Sequence, residues 1–117
     1  MESEVRVRTF SEVFAGQKVE FYILCMKRSF LLWAGVDGSF STLSVAMNTR
    51  FESDPVSTNL LGDSINAASS SLSKRLAKRT GCQCFVSLNI KDPTLCKLAE
   101  EHIIRLYERD PHLFFIP

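Results

Sequence analysis

Two histidines and four cysteines are the side chains best suited to metal binding or nucleophilic chemistry in this sequence. Cys82 and Cys84 are one residue apart, whereas a zinc or redox pair uses two intervening residues. Within a strand that spacing puts both thiols on one face, where they read as small core hydrophobes. His102 falls on the inward side of a helix, as a core or boundary histidine, and His112 follows a proline in a tail. Neither has Cys, Asp or His at ligand spacing. No Gly-x-Ser-x-Gly elbow marks a serine as nucleophile. An enzymatic reading would rest on Ser64 or Cys96, with a base that the sequence does not show. Leu61-Gly62-Asp63-Ser64 precedes a helix and could offer backbone N–H groups to an anion. The phosphate-loop and dinucleotide glycine patterns are absent, and a capped helix start accounts for these residues. The expectation is a chain with no catalytic residue, no metal and no cofactor.

The remaining chemical feature is charge. Lys74, Arg75, Lys78 and Arg79 crowd adjacent helical turns. Such a run is most often a solvated outer face, and its functional alternative is contact with an acidic protein surface. Nucleic acid would call for an aromatic platform beside the cations and a basic excess. Neither is present, since the net charge is +1.

The elements that carry these residues follow from hydrophobic period. Val5, Val7 and Thr9 alternate with Arg6 and Arg8, a half-exposed strand running to Phe14, and Ala15-Gly16-Gln17 is a turn. In 18–26, Val19, Phe21, Ile23 and Cys25 form one face; Glu20, Tyr22, Leu24 and Met26 form the other. In 30–34, Phe30, Leu32 and Ala34 oppose Leu31 and Trp33. Both strands are apolar on two sides, which implies cover on both. Asp37-Gly38 is a hairpin signal, and 41–48 returns with Leu43, Val45 and Met47 on one face. These segments read as an antiparallel meander. A long polar connection from Asn48 to Asp63 follows. Asp63 or Ser64 caps a helix with Ile65, Ala68, Leu72 and Leu76 inward and Ser69-Ser70-Ser71 outward. Gly81 ends it. Strand 82–90 comes next, with Phe85 opposite Cys82, Cys84, Val86 and Leu88. Asp92-Pro93 opens a second helix, with Leu95, Leu98, Ala99, His102 and Leu106 inward, Ile103 and Tyr107 as further candidates for that stripe, and Glu101–Arg105 as an i,i+4 pair. Asp110-Pro111 ends it before a sticky tail, His112 to Pro117.

At 117 residues this is one domain, 1–117, able to bury a single modest core. No apolar run reaches the ~18 residues of a membrane span, and the charged first residues lack a secretory h-region. The cysteines are therefore read as reduced and the protein as cytoplasmic or nuclear. Two amphipathic helices on one side of a four- to six-stranded sheet leave the other side apolar and uncovered. Either one helix lies on each face, or the second face meets another protein.

Phe30-Leu-Leu-Trp-Ala-Gly35, Leu43-Ser-Val-Ala-Met47, Pro55-Val-Ser-Thr-Asn-Leu-Leu-Gly-Asp63, Ser71-Leu-Ser-Lys-Arg-Leu-Ala-Lys-Arg-Thr80 and Cys84-Phe-Val-Ser-Leu-Asn89 resemble the proteasome assembly chaperone 4 family across residues 28–90. The resemblance implies an α+β fold. Its antiparallel sheet has about six strands with two helices packed on it, strand meander first, then helix, strand, helix. It implies a non-catalytic chaperone of the 20S proteasome α-ring, heterodimeric with a proteasome assembly chaperone 3-like subunit and binding α-subunits such as α5. Phe21, Ile23, Leu32, Val45 and Phe85 are then candidates for the partner face or for the helix-covered core. Lys74, Arg75, Lys78 and Arg79 are candidates for α-subunit contact. Arg50, Pro55, Thr58 and Asp63 mark a signature loop. The alternative is a small α/β adaptor with an unrelated protein partner.

Overall fold

The computed structural model describes residues 5–50, 53–62, 68–114 and 116. Five strands come first: β1 Arg6–Phe14, β2 Gln17–Met26, β3 Ser29–Gly35, β4 Leu43–Met47 and β5 Val56–Leu61. Helix α1 (Ala68–Thr80), strand β6 (Gln83–Asn89), helix α2 (Pro93–Arg109) and a 3-10 turn at Pro111–Leu113 follow. The six strands form one sheet in the order β1-β2-β3-β6-β4-β5. All pairings are antiparallel except β3 with β6, which is parallel. The α+β expectation of about six strands in all, strands first and then helix, strand, helix, holds, with a sheet that is mostly antiparallel.

Two tight hairpins build the first half. Ala15 and Gly16, both at positive φ, join β1 to β2, and Lys27-Arg28, with Arg28 at φ 61°, joins β2 to β3. Positive φ at such turns matches the right-handed strand twist. The meander stops there. Asp37-Gly38 does not close a hairpin, because β6 lies between β3 and β4. Residues 36–42 instead cross the end of β6, held by Asn89, whose Oδ1 accepts from Ser41 N at 2.8 Å and Thr42 N at 3.3 Å. Period-two patterning establishes that β3 is apolar on both faces but says nothing about which strand lies beside it.

Both helices lie on one face. His102 of α2 packs its ring against Phe10 of β1 and Phe21 of β2. On α1, Ser73 O accepts from the Cys84 thiol of β6 at 3.0 Å. Phe21, Ala34 and Leu88 are in register across β2, β3 and β6 and share the face of Cys84. The core is the layer between: Val19, Phe21, Ile23, Phe30, Leu32, Val86 and Leu88 below, with Leu72, Leu76, Leu95, Ala99 and Ile103 above. Each large apolar side chain so buried contributes roughly 1.5–3 kcal/mol.

Three further expectations are corrected. Ser69 and Ser73 point inward and are buried. Ser69 Oγ accepts from Leu88 N at 3.0 Å and pairs with Thr42 Oγ1 at 2.7 Å, so small hydroxyls let α1 sit close on the strands without orphaning a polar group. The α2 stripe is centred on Leu95, Cys96, Ala99, Ile103 and Ile104, with His102 and Leu106 at its margin. The tail is part of the core. Phe114 is fully buried against Phe30 and Tyr107, and Ile116 N donates to Met26 O at 3.1 Å. The Asp92 cap is as expected, its Oδ1 accepting from Thr94 N at 3.0 Å ahead of Pro93.

Candidate functional site

With both helices on one side, no helix or strand among the described residues covers the opposite face of the sheet. Register places Val7, Leu24, Leu31, Phe85, Val45 and Thr58 in one row across all six strands. The row carries no charge. Beside it runs a second row, Thr9, Tyr22, Trp33 and Ser87. Val7, Tyr22, Met47, Val56 and Leu60 are exposed by 41–52%, and Leu24, Leu31, Trp33, Val45 and Phe85 are half-buried. A contiguous apolar face of this extent marks an interaction surface on a small domain.

The five sheet residues singled out from the sequence therefore separate. Val45 and Phe85 stand on the open face. Phe21, Ile23 and Leu32 are buried to 1% exposure or less under the helices. They are corrected to core, since no partner reaches them while α1 and α2 stay in place. The sequence reading passed over Leu24, Leu31, Tyr22 and Trp33, although the signal was there: they alternate with the core residues of β2 and β3.

The signature loop is largely strand. Its residues from Val56 to Leu61 form β5, at the sheet edge. Thr58 faces the open side, while Ser57 and Asn59 face the helix side, bonded to Ser70 Oγ at 2.6 Å and Ser44 Oγ at 3.0 Å. Pro55 is buried, Arg50 is exposed in a bend, and Asp63 lies outside the described residues. Gly62 has φ +104°, and a Cβ there would lie 2.8 Å from Ser41 O, so the motif needs glycine on both counts.

The basic cluster is divided. Lys78 Nζ pairs with Asp54 at 2.9 Å, holding that carboxyl below its ordinary range, and Arg79 pairs with Glu108 at 2.8 Å. Lys74 and Arg75 are exposed on the outer side of α1. All four stand on the helix side of the molecule, away from the open sheet face.

The nucleophile and ligand candidates find little support. All four cysteines are unpaired and buried. Burial pushes the Cys96 thiol up to about 11, with nearby Glu100 adding to it, and the Cys84 thiol up to about 12. A thiol held protonated is a poor nucleophile. Ser64 lies outside the described residues. His102 has no acid–base role in view: its ring is wedged among Phe10, Phe14 and Phe21, with Glu12 Oε2 at 3.7 Å from Nε2. Among the described residues no three His, Cys, Asp or Glu side chains stand together as a metal would require, and no helix is long and apolar enough to cross a membrane.

The family profile described as proteasome assembly chaperone 4 matches residues 18–90. Human proteasome assembly chaperone 4 is 37% identical over 95% of this chain and 92% of its own length. The mouse protein of that name is 34% identical over 97% and 94%. Among solved structures, a chain from a chaperone complex for yeast 20S proteasome assembly superposes with a TM-score of 0.60 at 19% identity. The match covers 92% of this chain and 94% of that one, and the likeness is one of fold.

Proposed function

The chain belongs to the proteasome assembly chaperone 4 family, and from that premise we propose that it is a non-catalytic chaperone of 20S proteasome assembly. It acts paired through its open sheet face with a second, proteasome assembly chaperone 3-like subunit. The observation that carries the reading is the uncharged row Val7, Leu24, Leu31, Phe85, Val45 and Thr58 on a face that no helix or strand among the described residues covers. Strands about 4.8 Å apart make a six-stranded sheet about 25 Å wide. In a molecule 41 × 30 × 24 Å across, that face offers several hundred Å², of the order of the ~800 Å² each partner contributes to a stable pair. An uncharged, ribbed surface is complementary to another apolar sheet face, packed at ~10 Å as in a sandwich. The fold neighbour, itself taken from a chaperone complex, supports a paired state.

Proteasome α-subunits, α5 among them, are then engaged by surfaces the pairing leaves free. Lys74 and Arg75, outward on α1, suit an acidic patch, and Lys78 and Arg79 add to it where their partners Asp54 and Glu108 can be exchanged. Four unpaired cysteines fit the reducing cytoplasm or nucleus as the place of action.

Two substitutions and one charge reversal test this. Phe85→Asp or Val45→Glu should abolish co-purification of the second chaperone subunit, because a carboxylate would be buried unpaired at the interface. Reversing Lys74, Arg75, Lys78 and Arg79 to Glu should leave the pair intact and weaken α-subunit capture in a salt-sensitive way. Full pairing with Phe85→Asp would remove the sheet face from the reading.

A further inference from the structure

Trp33 is placed unlike the other apolar side chains of the open face. Its indole is folded along β3 over Gly35: a Cβ on that glycine would lie 2.8 Å from Cζ2 and 2.9 Å from Cη2. Gly35 is at no unusual φ, so what demands glycine is room for the ring. On the same edge of the ring as Cζ2, Nε1–H donates to Ser39 O at 3.0 Å. The close approach to Gly35 and this hydrogen bond together hold the indole in one orientation.

Its polar surroundings are already satisfied from within. Ser87, its register neighbour on β6, is fully buried, and its Oγ accepts from Asn89 Nδ2 at 2.8 Å. Asn89 Oδ1 in turn accepts from Ser41 N at 2.8 Å and Ser41 Oγ at 3.2 Å. The single donor of the indole is used as well. A partner pressing on this spot would leave the indole N–H, Ser87 Oγ and the Asn89 amide with the partners they already have, which lowers the penalty for covering polar ground. On the other side stands Tyr22, in register with Trp33 on β2 and 43% exposed.

We propose that Trp33, seated on Gly35 and tied to Ser39, is the preformed anchor of the sheet-face interface, buried by an apolar side-chain cluster of the second chaperone subunit. The inference rests on the pairing proposed above and goes further by naming the residue on which affinity concentrates. Tryptophan is enriched among such anchors, and one held in its bound orientation loses little side-chain freedom on association.

The chain has one tryptophan, so the intact protein labelled with 5-fluorotryptophan gives one fluorine resonance. Titration with the purified second subunit should shift that resonance and remove its H₂O/D₂O solvent-isotope shift. Gly35→Ala lifts the ring from its seat without deleting apolar surface. It should weaken pairing about tenfold, and Trp33→Ala about 30-fold, the range of an interface hot spot. A resonance that keeps its solvent-isotope shift at saturation, while Phe85→Asp still breaks the pair, would overturn the anchor and spare the pairing. Unimpaired pairing with Phe85→Asp would overturn both. If the resonance moves on concentrating the chain alone and not on adding the second subunit, the occupant is a second copy and the proposal fails.

Discussion

His102 shows how one side chain can carry a pH signature without carrying chemistry. Burial among three phenylalanine rings lowers its tendency to protonate; Glu12 opposes that, and Arg105 and Arg109 add to it. Its folded pKa therefore lies below the ordinary ~6.5 of an unfolded chain. As pH falls, the unfolded state takes up the proton first. The stability His102 supports is full above about 6.5, declines as pH drops through that value, and levels off below the folded pKa. Glu100, whose carboxyl burial raises, works in the opposite direction. The comparison that isolates His102 is His102→Phe, which should flatten the loss in urea midpoint between pH 7.5 and 5.5; an unchanged slope would assign the effect elsewhere. At the same scale, Phe21 and Phe85 should part company. Phe21→Ala removes a fully buried ring and should cost about 3–5 kcal/mol. Phe85→Ala, on the open face, should cost the isolated chain about 1 kcal/mol and show its main effect in pairing. Equal losses in urea titration would mean the open face is closed in the free protein.

At the level of elements, α1 is held by hydroxyls as much as by its leucines. Ser69→Ala leaves the Leu88 N–H without its acceptor and should destabilise by about 1–3 kcal/mol. Ser71→Ala, exposed on the same helix, should stabilise by about 0.5 kcal/mol through propensity alone. The same value for both would deny the serine contacts their role. These contacts also explain what the sequence could show. Three serines in a row look like an outer surface by hydropathy, and nothing in the pattern reveals that each inward one meets a matching hydroxyl or N–H. The capped start of α2, the glycine after α1 and the alternation in β2, β3 and β6 were all legible, because each is set by residues within a few positions. β5 was not: it is an edge strand of Val, Ser, Thr, Asn and Leu with little buried on either side, and its period is easily taken for polar loop. The parallel pairing of β3 with β6 was out of reach for another reason, since it joins residues some fifty positions apart. For the site, parity alone could not tell which face the helices would take: of the five sheet residues named, Val45 and Phe85 lie on the open face and Phe21, Ile23 and Leu32 beneath the helices.

For the molecule as a whole, the division into a sealed face and an open one sets its behaviour. The sealed face is closed at one end by the tail. Phe114→Ala should cost about 3–5 kcal/mol, as for other buried rings, and bring earlier melting in calorimetry; a neutral outcome would return the tail to the solvent. The order of the strands has a consequence in time. β6 is the last strand made and one of the two in the middle of the sheet. Until Asn89 has been synthesised, β1–β3 and β4–β5 are two unjoined ribbons with no strand to bridge them, and the two-stranded one is at best marginally stable alone. At ~5–20 residues per second, the nascent chain spends on the order of seconds with both inner edges bare. A chaperone built this way is itself exposed to wayward strand pairing during its own birth, and its late central strand makes folding an all-at-once closing event rather than a gradual one.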